Sequence, residues 1–217
     1  MRDGPAWVEI RLRNEQWLVP WEPTPPGTGN LRATWKGRQT IGVFVQMLRA
    51  LTRQARAASA LPFAVTYEGV LVGQLTVSTI VRGAFESAHV GYWVDEAVAG
   101  RGVMPTALAL ATDHCFGPVR LHRLEAHIRP ENTASRRVVE KLGWREEGLQ
   151  RRYLAIDGSW RDHLGYAVTA EEVPTGMLRR WHQTQAGQTA QTGQTGQAGE
   201  TGQTGQTGQA GEAAECR

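Results

Sequence analysis

A short glycine-rich segment, Gly100-Arg101-Gly102, has the residue types with which a protein backbone can bind a phosphate group. It follows residues 88–94, whose apolar pattern predicts a strand, and precedes residues 103–116, which predict a helix. Because glycine tolerates positive φ, several backbone N–H groups can point at one anion beside the positive end of a helix. The segment therefore predicts a phosphate loop, for which pyrophosphate is a natural ligand. Arg101 adds charge there or is a solvated loop residue.

Two polar residues further along the chain extend this prediction. Asn132 and Ser135 stand at the start of a predicted helix over residues 133–142, which Gly143 would end. Their spacing puts both on one side of a helix, so both can face the same cleft, although Asn132 is equally suited to capping the helix. The common nucleotide motifs are missing: no glycine loop ends in Lys-Ser or Lys-Thr, and no complete Gly-x-Gly-x-x-Gly occurs with a distant acidic residue.

Taken together, these blocks resemble the GNAT acyl-CoA-dependent N-acetyltransferases, in particular the RimJ/RimL branch of ribosomal-protein-alanine N-acetyltransferases. The resemblance covers about residues 60–168. It is carried by Gly91-Tyr92-Trp93 with the glycine loop, by Asn132-Thr133-Ala134-Ser135 with Leu142-Gly143-Trp144, and by the segment from Tyr153 to His163. It implies the GNAT acyl-CoA N-acyltransferase fold of the α/β (α+β) class: a mixed, mostly antiparallel twisted sheet flanked by helices.

The resemblance also implies a reaction, in which a primary amine directly attacks the thioester of acetyl-CoA, the co-substrate, without a metal. Such a reaction needs a neutral amine, donors for the carbonyl oxygen and a proton for the departing thiolate. By resemblance, Asn132 would hold the pantetheine region and Ser135 would hydrogen-bond the sulfur. The residues expected to bind the cofactor are Tyr92, Trp93, Val94, Ala99, Gly100, Arg101, Gly102, Val103, Met104, Asn132 and Arg136.

The general base is a separate question, because the resemblance does not supply it. His89 lies on the strand before the loop, on the same face as Gly91 and Trp93, and its usual pKa of about 6.5 suits proton acceptance. Glu86 lies just before it. The candidate catalytic residues are therefore Ser135, His89 and Glu86, while a structural role for His89 and a water relay remain the alternatives.

Some positions depart from the family pattern. Ala99 and Met104 stand at the two ends of the loop, so side-chain contacts there differ while the backbone cradle is kept. Val139 falls near a tyrosine that is the general acid in some relatives, so Ser135 or water would have to supply that proton. In the terminal hairpin, Asp162 either orients the substrate or pairs with an arginine.

The expected organisation is one domain over residues 1–182 followed by a disordered tail rich in Gln, Thr and Gly over residues 183–217, whose triplets lack the apolar residues needed for a core. GNAT folds open with a strand, whereas this chain opens with a predicted helix, so the first strand is apparently missing. We expect either an N-terminal truncation or an adapted sheet. Predicted helices cover 6–14, 38–60, 103–116 and 133–142, and predicted strands cover 63–68, 70–81, 88–94, 124–128, 144–154 and 160–168.

Composition limits the cellular compartment and the binding partners that we expect for this chain. The chain has a net charge of +3, no apolar run near the roughly 20 residues of a membrane span, no apolar core of a signal peptide, and two cysteines that suggest neither a disulfide framework nor a metal site. We expect a cytoplasmic monomer or homodimer that contacts neither membrane nor nucleic acid directly. The acceptor would be a protein N-terminus, such as that of a ribosomal protein, or a small amine such as an antibiotic or polyamine. A catalytically silent acyl-CoA-binding module is the remaining alternative.

Overall fold

The computed structural model describes residues 2–23 and 31–197. Its helices are α1 (Gly4–Arg13), α2 (Glu15–Leu18), α3 (Leu31–Arg38), α4 (Ile41–Arg56), α5 (Val103–Phe116), α6 (Thr133–Lys141) and α7 (Met177–Gln197). Its strands are β1 (Ala60–Tyr67), β2 (Val70–Val81), β3 (Ser87–Val94), β4 (Arg123–Ile128), β5 (Arg145–Ile156) and β6 (Ser159–Thr169). Short 3₁₀ turns cover Val19–Trp21, Glu96–Val98 and Ala170–Glu172.

The six strands form one mixed sheet in the order β1-β2-β3-β4-β6-β5. Every neighbouring pair is antiparallel except β3 and β4, which are parallel and are joined through α5. The parallel pairing is short, since only Ser87–His89 pair with Arg123–Glu125. Beyond this point β3 and β4 no longer pair, and the sheet opens at its centre. The predicted architecture, a mixed and mostly antiparallel sheet flanked by helices, is confirmed.

Two tight turns connect the antiparallel strands of the hairpins. Glu68-Gly69 joins β1 to β2, and Asp157-Gly158 joins β5 to β6, with positive φ at all four residues. Two-residue turns of this kind match the right-handed twist of paired strands, and glycine at the second position reduces their strain. The predicted strands over 144–154 and 160–168 therefore form a hairpin, which turns at Asp157-Gly158.

The core lies between one face of the sheet and helices α5 and α6. Alternation along β4 buries Leu124, Ala126 and Ile128 on the core side, against Leu108 of α5 and Val139 of α6. Glu125 and His127 consequently lie on the opposite face of the same strand. This alternation separates the polar side chains of β4 from those that pack in the core.

Several predicted boundaries differ from the structure. The helix predicted over 38–60 is α4, which begins at Ile41 because the Thr40 hydroxyl accepts a hydrogen bond from Val43 N at 3.2 Å, and which ends at Arg56. Strand β1 then starts at Ala60. Asp3 precedes α1 without making a side-chain capping bond.

The two chain ends also bear on the predictions. Within residues 2–23 no strand precedes α1, and the sheet of the described residues has six strands. Helix α7 continues to Gln197, so the first part of the segment predicted to be disordered is helical, while residues 198–217 lie outside the described residues. Contacts divide the chain into two units, Met1–Trp181 and His182–Arg217. Among the described helices, none combines the length and apolar character needed to span a membrane.

Candidate active site

A cavity of about 930 Å³ lies where β3 and β4 separate. Its walls are the two diverging strands, the loop before α5, the first turns of α6, the segment around α2, and the β5–β6 hairpin. Helix α4 contributes only Met47 among the described lining residues, whereas the hairpin contributes Tyr153, Leu154, Ile156 and His163. The volume is in the range of sites that enclose a whole cofactor.

The glycine loop forms one end of this cavity. Gly100 and Gly102 have φ of +81° and +79°, and Gly102 directly precedes the first residue of α5. The first N–H groups of an α-helix have no partner inside the helix, so those that follow Gly102 are available to an anion. Of the residues predicted here, Ala99, Gly100, Gly102, Val103 and Met104 line the cavity. Arg101 is exposed and does not line it.

The free edge of β3 forms a second wall. After His89, β3 pairs only with β2, so the backbone groups that point away from β2 face the cavity instead of another strand. Tyr92, Trp93 and Val94, which the sequence predicted to bind the cofactor, line this stretch. The carbonyl oxygen of Val94 accepts a hydrogen bond from the Trp17 indole N–H at 3.0 Å, which attaches the N-terminal segment to the end of the strand.

Ser135 and Tyr92 meet across the cavity. The Ser135 hydroxyl donates to the Tyr92 hydroxyl oxygen at 3.1 Å, and the Tyr92 hydroxyl donates to the Ser135 carbonyl oxygen at 3.1 Å. The Asn132 side chain accepts a hydrogen bond from Ser135 N at 3.1 Å, so it caps α6 and also lines the cavity. Burial raises the pKa of Tyr92 well above its usual value, and the phenol therefore stays protonated at neutral pH.

Arg136 was predicted to bind the cofactor, and the structure does not bring it to the cavity. Its guanidinium donates to the Tyr166 hydroxyl at 3.0 Å and lies 3.4 Å from Glu140. Arg137, one residue on, does line the cavity. Each residue advances about 100° around a helix, so an error of one position moves a side chain to another face.

Three polar side chains, which we call the His-Glu-His cluster, lie together on β3 and β4: His89, Glu125 and His127. His89 and Glu125 are register partners, and the two-residue period of β4 puts Glu125 and His127 on one face. The Glu125 Oε2 atom lies 3.7 Å from His89 Nε2 and 3.5 Å from His127 Nε2. The two imidazole centroids are 4.8 Å apart, and the Tyr153 ring lies 4.5 Å from that of His127.

The members of this cluster have different surroundings. His89 and His127 line the cavity, and Glu125 is attached on its other oxygen, Oε1, to Arg123 Nε at 2.6 Å. Burial, assisted by the neighbouring His89, lowers the pKa of His127 and favours a neutral ring. Sequence reasoning found His89 but missed the other two. The available signal was the alternation of apolar and polar residues from Leu124 to Ile128. The sequence alone does not show that the polar face of this strand lies beside His89, because this depends on the register of the sheet.

Glu86, the other candidate base, does not reach the cavity. Its carboxylate accepts hydrogen bonds from Arg82 at 2.9 Å and from Gly83 N at 3.0 Å, in the turn before β3. The bond from Arg82 and that from Gly83 hold the pKa of Glu86 below its usual value, which makes it a weaker base. Asp162 is also outside the lining and accepts a hydrogen bond from Arg152 N at 2.8 Å rather than pairing with an arginine side chain.

An arginine surrounded by tryptophans forms the N-terminal wall, and sequence reasoning did not find it. The guanidinium carbon of Arg11 lies 4.5 Å from the Trp35 ring centroid and 5.4 Å from those of Trp7 and Trp93. Its Nη2 atom is 2.8 Å from Glu22. Because Trp93 belongs to β3, this stacking helps to hold α1 against the strand that lines the cavity.

The sheet that opens over a glycine loop at a helix start is the architecture of a GNAT-type acyltransferase. The acetyltransferase (GNAT) domain family matches residues 2–145, and the chain belongs to this family. The structure of Mycobacterium smegmatis RimJ in complex with CoA-disulfide is 46% identical, with a TM-score of 0.77, and the match covers 82% of this chain and 83% of that one. The predicted RimJ/RimL-like resemblance and the enzyme class, an acetyl-CoA-dependent N-acetyltransferase, are confirmed.

Two further relatives match at lower identity. The ribosomal protein uS5-alanine N-acetyltransferase of Escherichia coli (strain K12) is 29% identical over 180 residues, covering 81% of this chain and 88% of that protein. The probable N-acetyltransferase YjcK of Bacillus subtilis (strain 168) is 41% identical over 98 residues, which are 45% of this chain and 54% of that protein. The chain thus spans about half the length of this second relative.

Proposed function

We propose that the chain transfers the acetyl group of acetyl-CoA to the N-terminal α-amine of a protein, of the ribosomal-protein-alanine type. The observation that carries this proposal is a single cavity with the glycine loop at one end and two members of the His-Glu-His cluster, His89 and His127, in its lining. The names of the RimJ and uS5-alanine relatives support the choice of acceptor.

The cavity offers a different kind of contact to each part of acetyl-CoA. The pyrophosphate would lie at Gly100 and Gly102, against the N–H groups that begin α5. The pantetheine arm would lie between β3 and β4, where the free edge of β3 can pair with its amides as a neighbouring strand would. Asn132 faces this arm from α6. Arg137 replaces Arg136 as the cationic residue of α6 on this side.

The transfer requires three proton and charge changes, and the lining has a group for each. The attacking amine forms the new N–C bond and loses one proton, for which the His-Glu-His cluster is the acceptor, directly or through a water molecule. The carbonyl oxygen becomes negative and can be stabilised by backbone N–H groups of β3. The thiolate leaves with the electrons of the broken C–S bond. Ser135 turns its hydroxyl from Tyr92 to the sulfur and passes it a proton while taking one from a water molecule, so that no alkoxide remains.

An assay with a panel of acceptors tests the proposal. Full-length protein would be incubated with acetyl-CoA and peptides that differ only in the first residue, beside a polyamine and an aminoglycoside, and acetylated products would be identified by mass spectrometry. We expect the alanine-terminated peptide to have the highest kcat/KM. Preference for the small amines would reassign the acceptor, and tight CoA binding without any product would indicate a silent binding module.

A further inference from the structure

We propose that His89, Glu125 and His127 form a binding site for one divalent transition-metal ion, for which Zn²⁺ is the best match, and that its occupancy inhibits acetyl transfer. The inhibitory part rests on the proposed function, whereas metal binding does not. This inference departs from the sequence-based expectation of no metal, which rested on the two cysteines. The three ligands come from two strands, and no linear motif joins them.

The spacing of the three side chains suits one ion. Bonds of about 2.0–2.2 Å in a tetrahedral zinc site put neighbouring ligand atoms about 3.3–3.5 Å apart. The separations between Glu125 Oε2 and the two histidine Nε2 atoms are 3.7 Å and 3.5 Å, and one potential ligand atom from each residue lies within 4.8 Å of the others. His89 is partly exposed, so its side chain has room to rotate toward the other two ligands, which separations of up to 4.8 Å would require.

The unsatisfied state of His127 is an independent indication of a ligand. Its side chain is only 7% exposed, yet among the described residues neither ring nitrogen makes a hydrogen bond of standard geometry, and the Gln150 side chain is the nearby group that interacts with the ring. Buried polar groups in folded proteins are nearly always paired, because an unpaired one has lost its water without compensation. A metal ion between His127 and Glu125 would satisfy the ring nitrogen that faces the carboxylate.

The carboxylate is already oriented for this purpose. Arg123 binds Oε1 of Glu125 and leaves Oε2 toward both histidines. Groups that fix a ligand in this way from behind commonly support metal sites. Two imidazole nitrogens and one carboxylate oxygen favour Zn²⁺ over Mg²⁺ or Ca²⁺, which prefer sets of oxygen ligands. The fourth position faces the cavity, where water can occupy it.

Inhibition is expected because metal binding and proton acceptance would use the same lone pairs. The nitrogen and oxygen atoms that would bind the ion are those that would accept the proton of the attacking amine. A bound metal ion occupies these lone pairs. Its positive charge also disfavours the imidazolium that would form when a histidine of the cluster accepts the proton. The amine then keeps its proton and cannot attack.

Metal binding would be measured on the metal-free full-length protein without CoA, whose thiol also binds zinc. Competition with a chromophoric chelator should give one Zn²⁺ per chain, and Co²⁺ should give the visible absorption of a tetrahedral site. His127→Gln and Glu125→Gln should each weaken Zn²⁺ binding at least tenfold to a hundredfold, the range that loss of supporting groups alone produces. Thermal unfolding would verify that both variants are folded.

The matched control is His122→Gln. His122 is also paired with a carboxylate, Glu171 at 3.1 Å, but both are surface residues outside the cavity lining. This variant should bind Zn²⁺ as the unmodified protein does. Less than one equivalent bound by the unmodified chain, or equal binding by the His127 and His122 variants, would overturn the site.

Inhibition has its own readout. Acetylated peptide, quantified by mass spectrometry so that zinc binding to the released thiol does not interfere, should decrease as Zn²⁺ is added and recover with a chelator. Stoichiometric binding without loss of turnover would overturn the inhibitory role. An absence of turnover in metal-free protein would count against the proposed function instead, and the binding measurements would still decide the site.

Discussion

At the scale of single residues, the candidate chemistry depends on which of two candidate side chains, close together in the sequence, faces the cavity. Ser135 faces the cavity with its hydroxyl attached to Tyr92, whereas Arg136 turns away to Tyr166. His89 is joined by a carboxylate on the neighbouring strand, whereas Glu86 is held in a turn by Arg82. Each of these differences can be tested by a single substitution.

Ser135→Ala should lower kcat by about tenfold to a hundredfold, because general acids contribute about 10²–10⁴ and water can partly replace a hydroxyl. The KM for acetyl-CoA should change little, since the backbone contacts remain. Steady-state kinetics with the best peptide would measure both. Tyr92→Phe is the control: it removes the hydroxyl partner of Ser135 but leaves the proton donor, and should lower kcat less. Equal kcat for Ser135→Ala and the unmodified protein would contradict the role of Ser135.

Glu125→Gln and His89→Gln should each lower kcat by about a hundredfold if the His-Glu-His cluster accepts the proton of the amine. Glu86→Gln, which changes a carboxylate outside the cavity, should leave kcat within about twofold of the unmodified value. Turnover of the three variants under saturating substrates would separate them. If only Glu86→Gln lost turnover, the general base would be Glu86, in the turn before β3, and not the cluster.

At the scale of elements, the site depends on two local geometries: the positive φ of the glycine loop and the short pairing of β3 with β4. The loop can be predicted from its residues, because only glycine adopts φ near +80° without strain. The opening between β3 and β4 cannot be predicted in this way, because the sequence does not show where hydrogen bonding between two distant strands stops.

Gly100→Ala and Gly69→Ala form a matched pair for the loop. Both glycines have φ near +80° and open space where a Cβ would lie, so both substitutions should destabilise the fold by roughly 1 kcal/mol through backbone strain alone. Only Gly100→Ala should raise the KM for acetyl-CoA. Urea unfolding and kinetics would measure the two effects. If Gly69→Ala raised this KM equally, the effect would reflect stability and not the loop.

At the scale of the whole domain, residues far apart in the sequence hold the N-terminal helices against the central strands. Asp95, buried at the end of β3, pairs with Arg13 and accepts a hydrogen bond from the Asn14 side chain at 2.8 Å. Arg129, beyond β4, donates to the Pro20 carbonyl oxygen at 2.9 Å, and Pro23 bridges to Ile156. The cavity therefore has an N-terminal wall that is attached to both diverging strands.

Asp95→Asn should lower the free energy of unfolding by about 1.5–3 kcal/mol, the usual value of a hydrogen bond to a charged group. Burial acts to raise the pKa of Asp95, but the bonds from Arg13, Asn14 and Ala97 outweigh it and the pKa lies below its ordinary 3.8. The contribution of Asp95 is thus present above pH 3.8 and is lost as the pH falls through the folded-state pKa. Urea unfolding at pH 7 and pH 3 should show the variant and the unmodified protein converging at low pH. A constant difference would contradict the ion pair.

The sequence by itself determined the order of the elements after residue 60, the hairpin turn at Asp157-Gly158, the glycine loop and the cap formed by Asn132. These features depend on neighbouring residues, through backbone φ and the alternation of apolar side chains, so a single segment contains the information. It also contained enough motif blocks to predict the family. It misjudged the helix boundaries around Arg38, where capping decides.

Only the tertiary structure decided which polar residues meet. His89 reaches Glu125 because the register of β3 on β4 makes them partners, and His127 joins them through the pleat of the same strand. Arg137 lines the cavity and Arg136 does not, because the packing of α6 fixes the rotation of this helix. Register and helix rotation are set by the whole core, since a shift of one residue would bury charges and expose apolar groups. The free energy that favours the native register and helix rotation is shared among many distant contacts. No single segment of the sequence therefore reveals it.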